Sequence, residues 1–353
     1  MLHKLGQPKI VIAVRGASME LINKIASVQE VLNITEAVQF TMRSLNGSST
    51  PESLPESSTP ELKSPNWGTD YIQTDEVWKM GYDGSGIVVG IIDTGVMVGH
   101  DSLRENYVGT QNYGWFDPDQ NRKYPVDVEV GGHGTSCLGV AVGSFGFGVA
   151  PAANWMACLV SDNKGIWHED WIIECIQFML CPTDYKGENK NCAKAPHVIN
   201  NSWYYPPGPG CGTASPPGSY PEFIGVGATV YENQTARFSS NGPGYNGVIK
   251  PDLVAGGDYV YTPASVMEIH YLAAIGTSFS APAVVGVIAL MLQKNPTLTN
   301  EEVKQILLNT TTTDIEAYST EGCGGISTDT FPNNQIGYGM VNALKAINRV
   351  PAL

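Results

Sequence analysis

Gly86-Ile87-Val88-Val89-Gly90-Ile91-Ile92 holds no polar side chain and is closed by Asp93. A strand with one wet face alternates apolar and polar residues. A continuous β-branched run instead fits a strand covered on both faces, the situation of a parallel sheet between helices. Asn154 to Val160, His197 to Trp203 and Phe223 to Val230 read as further strands. Trp167 to Leu180 reads as a helix with Trp171, Ile172, Cys175, Ile176 and Met179 on one face. Ser280 to Leu292 is an almost wholly apolar helix, too short to span a bilayer and so expected to be buried. Thr299 and Glu302 form a capping box for a helix carrying Val303, Ile306 and Leu307. Alternating strands and helices imply an α/β fold with a mainly parallel sheet between helical layers.

The chain has 353 residues, 42% hydrophobic and 15% charged, enough for one large domain with an appendage. Residues 9–42 form a small alternating unit: Lys9 to Val14 strand-like, Met19 to Val28 helical, Val38 to Met42 strand-like. Residues 45–65 shift to Ser, Pro, Thr and Glu, the composition of an exposed linker. The expected division is 1–44, 45–65 and 66–353. One connection is anomalous. Parallel neighbours need a crossover of about a dozen residues or more, usually helical. Tyr204 to Pro221 is rich in Pro and Gly and has no helical period.

A formal net charge of -14 argues against nucleic-acid or anionic-membrane partners, because phosphate attracts basic surfaces. Met1 to Ile10 lacks the basic-then-apolar pattern of a signal peptide. Other features suit a secreted or endomembrane protein. Cys181 and Cys192 flank a polar loop as a local disulfide would, and sequons stand at Asn33, Asn46, Asn200, Asn233 and Asn309. Seven cysteines leave at least one thiol free; the expectation for Cys137 is a small buried thiol.

Three residues carry candidate chemistry. Asp93 ends the buried strand, and the carboxyl ends of strands are where doubly wound sheets bind ligands. His133 stands in Gly132-His133-Gly134-Thr135, at a helix start crowded with small residues, and an imidazole is suited to general-base work. Ser278 lies in Gly276-Thr277-Ser278-Phe279-Ser280-Ala281-Pro282, where unpaired first-turn N–H groups can stabilise an oxyanion. Pro282 is expected in the first turn, where proline is tolerated. Singly, each has an ordinary structural explanation: a turn Asp, a surface His, an N-capping Ser.

Jointly, Asp93-Thr94-Gly95, His133-Gly134-Thr135 and Gly276-Thr277-Ser278 with Ala281-Pro282 resemble the signature blocks of the subtilase family, peptidase S8, in its order. The likeness covers roughly 66–347, and the loop Cys181 to Lys194 is similar to the bacillopeptidase F branch. It implies a subtilisin-like three-layer fold and a serine endopeptidase with Ser278 as nucleophile, His133 as base and Asp93 as its orienting carboxylate. It implies substrate-pairing segments at Leu159, Val160 and Gly165 and at Ser202, Trp203 and Tyr204, which would take extended polypeptides. It makes residues 1–44 propeptide-like. A monomer is expected, with no cofactor required and no metal among the site residues. Subtilases often bind structural Ca²⁺; Asp117, Asp119 and Asn121 offer oxygens but lack a calcium loop's spacing.

The likeness breaks after Trp203. The family has a helix there, then a strand, then an asparagine that donates to the oxyanion; Tyr204 to Glu222 contains no asparagine. An αβ crossover is expected to be missing. The competing reading is therefore a catalytically impaired or inactive subtilase-like protein that binds peptides, or a truncated isoform that lacks the oxyanion asparagine.

Overall fold

The computed structural model describes residues 18–27, 39–41, 67–203, 210–231 and 233–353. The expected strand Lys9–Val14, the 45–65 linker and Tyr204 lie outside them. Of the N-terminal unit, Met19–Ala26 is a helix (α1), started by Ser18 accepting the Leu21 N–H. Gln39–Thr41 is a strand (β1) that pairs antiparallel with Ile166–His168.

Val88–Asp93 (β2) is the centre of a four-stranded sheet. Trp115–Phe116 (β3) lies at one edge, then Asn154–Leu159 (β4); on the other side of β2 is Val198–Asn200 (β6), all parallel. Ile166–His168 is β5. Alternate residues of β2 serve two cores. Val89 and Ile91 pack with His133–Val142 (α4) and Thr277–Lys294 (α6). Ile92 packs with Glu169–Leu180 (α5) on the opposite face. Both faces are dry, which is why the run carries no polar alternation. The inward face of α5 is Trp171, Ile172, Cys175, Phe178 and Met179; Ile176, expected there, is 46% exposed, and Phe178 takes its place.

The expected apolar helix is longer than 280–292. As α6 it has 18 residues, long and apolar enough to cross a membrane, yet nearly all of its length from Phe279 to Leu292 is buried as the core helix. Pro282 is not in its first turn. One turn further in, it cannot donate to the Ser278 carbonyl, as a non-proline residue would. That carbonyl is taken instead by the Ser202 hydroxyl at 2.8 Å and the Cys137 thiol at 3.3 Å. Beyond α6, Asn300–Asn309 (α7) begins with the expected Thr299–Glu302 capping box, and Ala343–Arg349 (α8) covers α6.

A second sheet contains Val226–Val230 (β7), Gln234–Thr235 (β8) and Leu253–Gly256 (β9), with β7 parallel to β9. A hairpin of Val260–Pro263 (β10) and Tyr271–Ala274 (β11) follows. No strand among the described residues joins β6 to β7, and the described residues between Trp203 and Val226 contain no helix or strand. In place of a strand is a cavity of about 730 Å³, lined by Ile199 of β6, Val226 of β7, and Val284, Val285 and Ile288 of α6. Among the described residues, no helix or strand stands where the crossover is expected to be missing.

Three disulfides brace the chain: Cys158–Cys175, Cys181–Cys192 and Cys211–Cys323; Cys137 is free and buried. The first and third were not legible in the sequence, although Cys175 on the inward face of α5 and Cys158 in the strand beneath it were both in view. Cys211–Cys323 spans 112 residues and ties down the segment entering β7, whereas Cys181–Cys192 spans 11. Loop-closure entropy grows with span, so the Cys211→Ser/Cys323→Ser variant should lose about 4–5 kcal/mol and the Cys181→Ser/Cys192→Ser variant about 2–3 kcal/mol. Denaturant unfolding of both checks the order; equal losses would contradict it.

Candidate active site

Asp93 is the last residue of β2 and has no solvent exposure. A buried carboxylate needs partners. Its Oδ1 accepts from the Thr94 N–H at 2.7 Å and from His133 Nδ1 at 2.8 Å. Among the described residues no donor reaches Oδ2. His133 opens α4 behind Gly132, which holds φ +78. Gly134 permits the close approach. A Cβ there would run into the Gly95 carbonyl oxygen and crowd the Asp93 Cβ. Without it, α4 settles on the end of β2 and the imidazole reaches the carboxylate.

The His133 side chain is 15% exposed. Burial, the largest influence, pulls its pKa down; the Asp93 charge and hydrogen bond, with Cys137, outweigh that and hold it well above the ordinary value. The imidazole is therefore a stronger base than a free histidine and becomes neutral only at higher pH. If it is the general base, the acid limb of peptide hydrolysis should have its midpoint above the ordinary histidine value of about 6.5. Rates measured from pH 5 to 9 test this; a midpoint below 6, or a flat profile, would count against it.

Ser278 is in the first turn of α6, among the N–H groups that a helix leaves unpaired. Its hydroxyl donates to the Ser202 carbonyl at 3.2 Å. Cys137 links the two halves of the site. Its sulfur lies 3.7 and 3.8 Å from the His133 ring nitrogens and donates to the Ser278 carbonyl at 3.3 Å. The Phe279 ring stands 6.1 Å from the imidazole. The structure thus brings Asp93, His133 and Ser278 to one place. Catalytic hydrogen bonds of free sites are often unformed until substrate binds, and the Ser278 hydroxyl here is turned to Ser202. Asp93, His133 and Cys137 also present metal-ligating atoms within 4.8 Å of one another. Two of these already share a hydrogen bond, and burial raises the Cys137 pKa, which keeps its thiol protonated.

The other expected residues divide. Ser202 is buried against the site, its hydroxyl donating to Ser278 and accepting from Asn200 Nδ2 at 2.9 Å. Trp203 anchors the same segment through Nε1 to the Ile92 carbonyl at 3.1 Å. Leu159 and Val160 are fully buried, and the Val160 main chain is already engaged by the Asp93 carbonyl and the His168 N–H. Gly165 holds φ +74 in the turn from Asp162 to Ile166. In the Asp117–Asn121 loop, Asp117 is buried and accepts from the Asp119, Gln120 and Arg122 N–H groups, with the Arg122 guanidinium 3.4 Å away. An arginine already neutralises that carboxylate, so the donor set does not fit a divalent cation.

A sequence model of the subtilase family matches residues 84–210 and again 206–339. The chain belongs to the subtilase family. Bacillopeptidase F of Bacillus subtilis is 31% identical over 336 residues, covering 80% of this chain and 22% of that protein. Subtilisin E of the same species is 29% identical over 266 residues, covering 70% of this chain and 66% of the enzyme. The membrane-bound transcription factor site-1 protease of mouse is 28% identical over 262 residues, covering 67% and 24%. The chain therefore spans about a fifth of bacillopeptidase F and less than two thirds of subtilisin E. The match to the subtilase family restarts where the sheet opens, between Trp203 and Cys211.

Proposed function

We propose that this subtilase is a serine endopeptidase acting on extended polypeptides through Asp93, His133 and Ser278. The observation that carries the reading is the 2.8 Å bond between His133 and a fully buried Asp93, beside a serine at a helix N-terminus. With Nδ1–H held by Asp93, His133 Nε2 takes the Ser278 proton as Oγ attacks the scissile carbonyl, and the Asp93 carboxylate stabilises the imidazolium. The imidazolium then protonates the leaving amine. The acyl-enzyme is released by a water that His133 deprotonates in turn. The developing oxyanion meets first-turn N–H groups of α6, the Ser278 amide among them. This chemistry requires no cofactor. Polypeptides are the proposed partners, the active form is a monomer, and three disulfides favour an oxidising compartment, secreted or endomembrane. Residues 1–44 would act as a propeptide, and β1 on β5 is its described contact.

A second reading, a catalytically impaired protein, is favoured by the open sheet between β6 and β7 and the lack of an asparagine from Tyr204 to Glu222. Purified protein incubated with unfolded casein and a fluorophosphonate separates the two. Cleavage that the probe blocks supports the first; probe labelling without measurable cleavage supports the second.

A further inference from the structure

Four hydrogen bonds converge on one half-buried carboxylate behind the triad. Asp127 Oδ1 accepts from the Thr94 hydroxyl at 2.9 Å and the Glu129 N–H at 3.2 Å. Its Oδ2 accepts from the Thr135 N–H at 2.9 Å and the Thr135 hydroxyl at 2.6 Å. Thr94 is the neighbour of Asp93, and Thr135 shares the first turn of α4 with His133. Asp127 therefore holds both elements that carry the Asp93–His133 pair.

The hydroxyls fix the polarity of this network. Thr94 Oγ1 also accepts the Gly134 N–H at 2.9 Å, and Thr135 Oγ1 accepts the Met97 N–H at 2.9 Å. Each hydroxyl has one proton. With a backbone N–H already pointed at each oxygen, both protons go to Asp127. Both carboxylate oxygens must then accept, and an amide in that place would aim its own N–H at two donors. The main chain is tied in as well: Gly95 and Asp127 form an antiparallel bridge, and the Val128 N–H donates to the Thr94 carbonyl at 3.0 Å.

We propose that Asp127 is a positioning residue, a clamp that fixes the end of β2 against the start of α4 and so sets the Asp93–His133 bond. The proposal rests on the triad reading, because its effect passes through His133. Burial pushes the Asp127 carboxyl up to about 7, against the Thr135 and Thr94 bonds that hold it down. The carboxylate, and with it the full clamp, therefore prevails above that pH. The Asp93 charge also acts on it, and Glu129, whose N–H it accepts, is the ionisable residue two positions on.

The test compares the parent with Asp127→Asn, Thr135→Val and Thr135→Ser. Two readouts are used: the rate of Ser278 labelling by a fluorophosphonate, and the His133 titration midpoint from NMR of labelled histidine. Asp127→Asn should label about ten- to a hundredfold more slowly, the scale of loss for a misplaced catalytic group. Its His133 midpoint should fall toward the ordinary value of about 6.5. Thr135→Val, which removes one arm and keeps the carboxylate, should move both readouts the same way, and Thr135→Ser should restore them. If Asp127→Asn does not fold, Thr135→Val decides alone. An unchanged His133 midpoint in the folded variants overturns the clamp. A parent that the fluorophosphonate does not label at Ser278 overturns the triad reading instead, and the NMR midpoint still decides the clamp.

Discussion

Ser278→Ala should abolish fluorophosphonate labelling and reduce peptide hydrolysis by about a million-fold, or to the detection floor, the scale known from subtilisin itself. The loss should be this large because the members of a Ser-His-Asp triad work as a unit. Without Oγ there is no acyl-enzyme, and His133 and Asp93 have no proton to move. The fold should be unaffected. Ser278 sits in the first turn of α6, and the carbonyl that Ser202 and Cys137 hold is main chain, so alanine keeps both bonds. Unfolding temperature and hydrolysis of a fluorogenic peptide, measured on one preparation, check this. A variant that keeps full peptidase activity would show that the measured activity comes from another site.

Closing the sheet is the second large effect. Inserting a family-like helix and strand, ending in asparagine, between Trp203 and Gly210 should raise turnover by about 100- to 1,000-fold, the measured worth of that donor in subtilisin itself. Two physical terms act together. The strand would pair the facing edges of β6 and β7, and its side chains would fill the 730 Å³ that Ile199, Val226, Val284 and Ile288 now line. The asparagine would add the amide donor that the stretch from Tyr204 to Glu222 lacks. Stability should rise in parallel, each kcal/mol moving the unfolding midpoint by about 2 °C. Expression as soluble monomer should improve too, because open edges template association. If the chain without the insertion hydrolyses unfolded protein at about 1–1,000 per second, ordinary for an enzyme, the idea fails.

The layered fold and the candidate Asp93, His133 and Ser278 were legible because each is written in local patterns. A run with no polar alternation must be dry on both faces, and β2 is. The capping box of α7 needs only neighbouring residues, so it could be read directly. Errors arose where a residue's fate depends on what faces it. Ile176 and Phe178 both fit a helical stripe, and the direction from which β2 and β4 cover α5 chose Phe178. Pro282 looked like a first-turn proline until the start of α6 was fixed, one turn earlier than the apolar run suggested. The burial of Leu159 and Val160 likewise depends on what faces them, the pairing of β4 with β2 and the hairpin through β5.

Sequence order alone specified the types of chemistry: a carboxylate at a strand end, an imidazole and a hydroxyl at helix starts, and a missing crossover after Trp203. It could not specify that Asp127 reaches both Thr94 and Thr135, that Cys137 touches both His133 and the Ser278 carbonyl, or that Cys211 finds Cys323. Those contacts join residues from separate elements. Their distances are set by how α4 and α6 pack on the sheet, and local propensity carries no information about that packing. The size of the break is likewise a property of the packed molecule. A chain that lacks a strand could close over the loss or leave it open, and here α6, buried along most of its length, packs against both β6 and β7 with the cavity between them.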